Sequence, residues 1–259
     1  MRSTYSALTV ARVVLFTLTF FFFSTSAGFG SDGRPASEWP VSSPEAQGMD
    51  SEKLNDMLAE ALGEKYHLDS LTIIRNGYMV LDAYFYPFKK DARHIIHSCT
   101  KSITSAAFGI AVDRGYIKDL DQPVYQLFPE REVAGLDEVK KAITLRHLLT
   151  MTSGLQTDDS YIYRWRGLNE MVQGDDWLQF VLDRPMAEPP GIRFEYSNCV
   201  TFLLSAIIQK TTGMNTFDFL KNYLFDPLEV SDVKWETSPA GISVGYGNMS
   251  LTPHDMAKI

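Results

Sequence analysis

Cysteine is scarce in this chain and runs of basic residues are missing. Two cysteines in 259 residues leave room for one disulfide at most. With 24 Lys and Arg against 32 Asp and Glu the formal charge is −8, and no basic stretch interrupts that balance, which argues against nucleic acid as a partner. Long apolar runs are missing too: the longest, from Val13 to Phe23, holds about eleven residues, where a helix spanning a bilayer needs about twenty. There is no internal repeat and no low-complexity tract outside that stretch. His94 and His97 are three apart with no glutamate between them, so the zinc-protease pattern is absent and the two read as a satisfied pair before a helix. Nothing calls for a metal or an organic cofactor.

What is present is 45% hydrophobic, enough for one substantial core or two lobes sharing a cleft. Arg2 and Arg12 precede the apolar run, and Ser24-Thr25-Ser26-Ala27 follows it with small residues. Residues 1–27 therefore read as an export signal with a cut after Ala27, which predicts a periplasmic or secreted protein. The alternative is an uncleaved anchor, which would be the chain's one contact with a membrane. Gly, Ser and Pro mark residues 28–45 as a linker, leaving 46–259 as the folded domain.

The chemistry gathers at two places. Ser98 and Lys101 stand three apart at the start of an apolar helix carrying Ile103, Ala106, Ala107, Ile110 and Ala111 and ending at Gly115. That spacing stacks the amine over the hydroxyl. A lysine desolvated in an apolar setting can be neutral near pH 7 and take a serine's proton, while free N–H groups at a helix start favour charge on a substrate oxygen. Ser98 can also be read as a plain N-cap, and one Ser-x-x-Lys is expected in a chain of this length roughly by chance. The second copy, Ser231 to Lys234, runs into Pro239 and reads as a surface loop. The other place is Tyr196-Ser197-Asn198, which opens an apolar helix from Cys199 to Lys210 after the turn Pro189-Pro190-Gly191. Its phenol can relay a proton, and its amide can hold a substrate or the lysine. A second Tyr-x-Asn, Tyr246-Gly247-Asn248, has no helix after it and reads as a turn.

Together these motifs resemble the serine β-lactamase and penicillin-binding-protein superfamily, in its class C-like branch of 6-aminohexanoate-dimer hydrolases, esterases and D,D-peptidases. Asp119-Leu120-Asp121-Gln122-Pro123-Val124, the stretch 143–155 and the stretch 251–257 share that texture, so the likeness covers roughly residues 40 to 259. The resemblance implies an α/β (α+β) two-lobe fold: an antiparallel sheet flanked by helices, plus an all-helical lobe. It implies a serine hydrolase acting on a small-molecule or peptide amide or ester through an acyl-enzyme on Ser98. Lys101 and Tyr196 would share the proton, Asn198 would position substrate or lysine, and the Ser98 N–H would be one oxyanion donor. β-Lactam, D,D-peptide, short-chain ester and linear amide all stay open as substrates. The family's third triplet, Lys-Thr/Ser-Gly or His-x-Gly on a strand, is missing; Lys210-Thr211-Thr212-Gly213 has one residue too many and ends a helix. The expectation is thus a domain truncated at its C-terminus and lacking strands. The alternative is a catalytically impaired penicillin-binding or cell-wall-binding module.

Several elements are legible besides. Leu54, Met57, Leu58, Ala61 and Leu62 form one stripe, predicting an amphipathic helix over 51–65. Asn76-Gly77 between 70–75 and 78–86 predicts a hairpin. A helix over 144–152 is expected to be capped by Gly154, and Asp158 to Arg166, with Tyr161, Tyr163 and Trp165, reads as a loop that lines the cleft or packs on the lobe below. Asp175 or Asp176 can cap a helix to Leu182, Asn215 or Thr216 another through Leu224, and Thr252-Pro253 starts a last one. Cys99 and Cys199 could pair, but i+1 on a helix points about 100° from Ser98, so two buried free thiols are expected. Gly241-Ile242-Ser243-Val244-Gly245 matches an α/β-hydrolase elbow in letters alone, since no helix and no acid–histidine order follows it.

Overall fold

The computed structural model describes residues 38–62, 67–159 and 161–259. The export-signal reading of 1–27 and most of the linker lie outside them. Along the chain come α1 (Ser51–Ala61), β1 (Ser70–Arg75), β2 (Tyr78–Tyr84), β3 (His94–Ile95), α2 (Thr100–Asp113), α3 (Glu138–Lys141) and α4 (Leu145–Leu149). Then follow α5 (Arg166–Gln173), α6 (Trp177–Leu182), α7 (Asn198–Thr212), α8 (Thr216–Leu220), β4 (Lys234–Trp235), β5 (Met249–Leu251) and α9 (Pro253–Met256).

The core is helical and centres on α7. Every residue of α7 from Asn198 to Ile208 is buried, as a helix apolar on all sides must be. The buried face of α2, with Ile103, Ala107, Phe108 and Ala111, packs on it, and α4, α6 and α8 close around it. Ala107 and Ala111 are small and fully buried, which lets the two backbones approach. Each Phe or Leu sealed here, Phe202 and Leu203 among them, stabilises the fold by about 1.5–3 kcal/mol.

Strands lie at one side in two small antiparallel sheets. β1 and β2 form the expected hairpin, with Arg75 opposite Tyr78 and Ser70 opposite Tyr84. Asn76 and Gly77 both take positive φ, 52° and 78°, which matches the twist of the flanking strands. The second sheet has the order β3-β5-β4, with His94 opposite Leu251 and Trp235 opposite Met249. This second sheet sets the site, because β3 runs straight into Ser98 and β5 follows directly on residues 246–248.

Some expectations need correction. Residues 39–42 are not free linker: Val41 bridges to Met79, and the Met79 N–H donates to the Pro40 carbonyl while the Ser42 N–H donates to the Met79 carbonyl. The amphipathic helix forms as α1 and ends at Ala61, with Leu54 and Leu58 half-buried and Met57 exposed; residues 63–66 lie outside the described ones. The helix after Thr144 stops at Leu149, because Met151 turns left-handed (φ 54°) and its carbonyl accepts the Glu195 N–H. Gly154 is therefore no cap. It allows close approach instead: at φ +73°, an added Cβ would meet the Glu188 carbonyl oxygen. The helix from Thr216 gives way after Leu220 to a wider π-type turn over Lys221–Phe225.

The look-alike motifs resolve into structure. Lys234 begins β4, so it does not stack on Ser231. Ser243 is fully buried; its hydroxyl donates to Asn215 Oδ1 at 2.7 Å and accepts the Phe217 N–H at 3.2 Å, which makes it a second cap on α8. Both thiols are free, but only Cys199 is buried; Cys99 is exposed, because it lies ahead of α2 and not on its inner face. His94 pairs with the Asp69 carboxylate at 3.1 Å, not with His97, and its Nε2 is buried without a partner among the described residues. Among the described residues no helix is long and apolar enough to cross a membrane.

Candidate active site

The Ile96 N–H donates to the Met249 carbonyl, which fastens the end of β3 to β5. His97 then turns left-handed (φ 44°) and one 3₁₀ turn, His97–Cys99, leads into α2. Ser98 thus sits one turn ahead of the α-helix, not within its first turn. A 3₁₀ helix has three residues per turn, so the spacing still places Lys101 above it. Lys101 Nζ lies 3.3 Å from Ser98 Oγ, and Ser98 is exposed to the cleft.

Lys101 has two further acceptors. Nζ donates to Asn198 Oδ1 and to the Tyr246 carbonyl, each at 2.7 Å. The three contacts suit an ammonium with three donors; they equally suit a neutral amine with two donors and a lone pair toward the serine. Burial pushes Lys101 down to about 8, against the pull of Asp159, which favours the charged form. The nitrogen also stands 4.7 Å from the centre of the Tyr196 ring.

Tyr196 and Asn198 come from the entry to α7. Ser197 is the N-cap, its hydroxyl accepting the Val200 N–H at 3.0 Å. Its neighbours therefore diverge from the helix axis in a fixed way: Tyr196 lies just outside and meets Ser98 Oγ at 2.8 Å, and Asn198 begins the helix and reaches Lys101. All four residues singled out in the sequence meet at one point. Trp165 leans edge-on against Tyr196, ring centres 6.3 Å apart, and joins Leu168, Asn169, Gly247 and Asn248 around the opening. Of the loop's aromatics, Trp165 lines the cleft while Tyr161 points to solvent, 81% exposed.

Two contributors were not legible as such. Tyr246 belongs to the sequence dismissed as a turn; it is a turn, yet its carbonyl holds the lysine. Thr104 on α2 donates to the Gly245 carbonyl at 2.8 Å and pins that turn in place. Asp159 is the other, fully buried with its carboxylate on the first turn of α7. An acidic residue inside an aromatic loop carries no periodicity that would have marked it.

The beta-lactamase family model matches residues 55–258. The 6-aminohexanoate-dimer hydrolase of Paenarthrobacter ureafaciens is 25% identical over 203 residues, covering 74% of this chain and 50% of its own length. Esterase EstB of Burkholderia gladioli is 27% identical over 170 residues, covering 62% and 43%. This chain thus spans half or less of the length of these curated relatives. The octameric penicillin-binding protein homologue from Pyrococcus abyssi superposes with a TM-score of 0.61 at 24% identity, over 81% of this chain and 55% of that one, and shares the fold. With the family model covering most of its residues and the hydroxyl, amine, phenol and amide converging where the motifs placed them, the chain belongs to the beta-lactamase family, an α/β (α+β) fold whose relatives include hydrolases of amides and esters.

Proposed function

We propose that this chain is a serine hydrolase that opens an amide or ester bond through an acyl-enzyme on Ser98. The carrying observation is the double approach to the hydroxyl, with Tyr196 at 2.8 Å and Lys101 at 3.3 Å. The names of the amide hydrolase and the esterase among the relatives support both bond types.

In the first step Ser98 Oγ bonds to the substrate carbonyl carbon while its proton passes to neutral Lys101, directly or through the Tyr196 hydroxyl. The new ammonium keeps its contacts to Asn198 Oδ1 and the Tyr246 carbonyl, so no group has to move to accept the charge. The Ser98 N–H donates to the developing oxyanion. The C–N or C–O bond then breaks, and the leaving group takes the proton back through Tyr196. Water next attacks the acyl carbon, yielding its proton to the same pair, and the acid departs with Ser98 restored. Every step uses side chains already in place, and none needs a metal.

Intact-mass spectrometry after incubation with a fluorophosphonate tests this, with Ser98→Ala alongside. A single covalent addition on the wild type, absent from the variant, is expected. An addition that persists in Ser98→Ala assigns the nucleophile elsewhere and sinks the assignment; none in wild-type protein shown to be folded by circular dichroism sinks it too and favours a module that binds without turnover.

A further inference from the structure

Asp159 has more to do with the site than its distance from the hydroxyl suggests. Its side chain is fully buried and never reaches the cleft. Oδ2 accepts the Cys199 N–H at 2.5 Å and the Ser197 hydroxyl at 3.3 Å; Oδ1 accepts the Thr157 hydroxyl at 2.9 Å. Every one of these partners is a donor, so the arrangement fits a carboxylate, and it sits where the N–H groups of α7 favour an anion. The backbone carbonyl of the same residue accepts Asn198 Nδ2 at 3.1 Å.

That last bond decides which way the Asn198 amide faces. With Nδ2 directed at Asp159, Oδ1 must face Lys101, where it accepts at 2.7 Å. An amide turned over would aim its NH₂ at the lysine, two donors meeting. The loop bearing Asp159 is itself held: the Gly167 N–H donates to the Asp158 carbonyl, Arg166 pairs with the Asp158 carboxylate, and any side chain at Gly167 would overlap the Thr157 carbonyl.

We propose that Asp159 is a positioning residue for Ser98 chemistry: its buried carboxylate anchors the entry to α7 and its carbonyl orients Asn198 toward Lys101. Its charge bears on Lys101 as well, favouring the protonated amine. This rests on the acyl-enzyme reading above. The charged and titratable groups that bear on it are Lys101 from α2, Cys199 from α7, Arg184 from the segment after α6, and Asp158 in its own loop, paired with Arg166 at the start of α5.

Asp159→Asn keeps the size and an acceptor oxygen while removing the charge. Two readouts separate the possibilities: the saturating rate of fluorophosphonate labelling across pH, and the titration of Lys101 followed by NMR after reductive ¹³C-methylation. Loss of the anion weakens the hold on Lys101's proton, so its titration and the acid limb of labelling should both move down by about one pH unit. The plateau rate should fall about 100-fold through the mispositioned amide, while half-saturation by the reagent shifts less than about twofold. A merely structural role would lower the yield of folded protein and leave both pH positions where they were, which overturns the proposal. If the wild type fails to label but the Lys101 titration still moves, the acyl-enzyme reading fails and the coupling of Asp159 to Lys101 stands. If neither moves, both fail. Should Asp159→Asn not fold, Thr157→Val removes one bond to the carboxylate alone; a slower plateau supports the anchor and an unchanged one overturns it.

Discussion

The Tyr196 hydroxyl oxygen lies 2.8 Å from Ser98 Oγ. It is the nearer of the two polar groups at that hydroxyl, since Lys101 Nζ stands at 3.3 Å. Removing that hydroxyl leaves the lysine in place and, in the proposed mechanism, takes away the group that returns the proton. Tyr196→Phe should therefore slow labelling of Ser98 by a fluorophosphonate, and hydrolysis of an activated ester, by about 10²–10⁴-fold. The ring stays, so its contacts with Trp165 and Lys101 stay, and thermal stability should barely change. Rapid-quench mass spectrometry reads the first effect and circular dichroism the second; a rate within a few-fold of wild type would assign the proton transfer to Lys101 alone.

Lys101 must be neutral to accept a proton, and burial has lowered it to about 8. The sign follows directly. Below pH 8 the ammonium dominates and labelling should fall about tenfold per pH unit; above it the amine dominates and the rate should level off. A guanidinium remains charged throughout this range, so Lys101→Arg should show neither the rise nor the plateau. A flat profile between pH 6 and 9 in the wild type would contradict lysine as the base.

Ser98, Lys101, Tyr196 and Asn198 could be read from the sequence because each is tied to the start of a helix whose apolar pattern is plain. Spacing then fixes direction, and even the exchange of an α-turn for a 3₁₀ turn at Ser98 leaves the stacking intact. Tyr246 acts through a carbonyl, which every residue has, so its role depends on where β5 delivers the chain. Asp159 makes its contacts 38 to 40 positions away, with Ser197 and Cys199, where only the packed loop brings them together. The helices of the core were legible for the reason α7 shows: a run apolar on all sides has nowhere to go but inward. The stripe on α1 has the same periodicity and is not buried, because pattern shows that a face is apolar and not what lies against it.

The turn that supplies the Tyr246 carbonyl is wedged between helices. An added Cβ at Gly245 would lie 2.7 Å from the Thr201 carbonyl oxygen and 2.9 Å from Ser205 Cβ, both on buried parts of α7. Gly245→Ala should therefore push residues 245–248 outward and draw the Tyr246 carbonyl off Lys101. A stability loss of about 1–3 kcal/mol is expected from the overpacking, with slower labelling of Ser98 beyond what the unfolded fraction explains. Two residues on, nothing lies nearer than 3.8 Å to a Cβ at Gly247, so Gly247→Ala should fold like the wild type. Urea titrations of the two variants, paired with labelling rates, make the comparison; equal behaviour would show that this turn does not hold the lysine.

Ser243 offers the sharpest separation of structure from chemistry, because its setting in Gly241 to Gly245 spells a nucleophile elbow. In the fold it is fully buried, with its hydroxyl shared between Asn215 Oδ1 and the Phe217 N–H. Ser243→Ala removes both of these bonds, while the Phe217 N–H keeps its 2.8 Å bond to Asn215 Oδ1, so neither group is left without a partner. Losing a hydrogen bond whose partners stay paired costs about 0.5–1.5 kcal/mol, so the melting temperature should drop by only a few degrees. Labelling should nevertheless occur on Ser98 at the wild-type rate wherever the variant is folded, since α8 and its caps do not touch the cleft. Ser231→Ala, ahead of β4 on the surface, should change neither quantity. Tandem mass spectrometry of the labelled peptide decides the matter: modification at Ser243, or its loss in either alanine variant while the protein remains folded, would move the nucleophile away from Ser98.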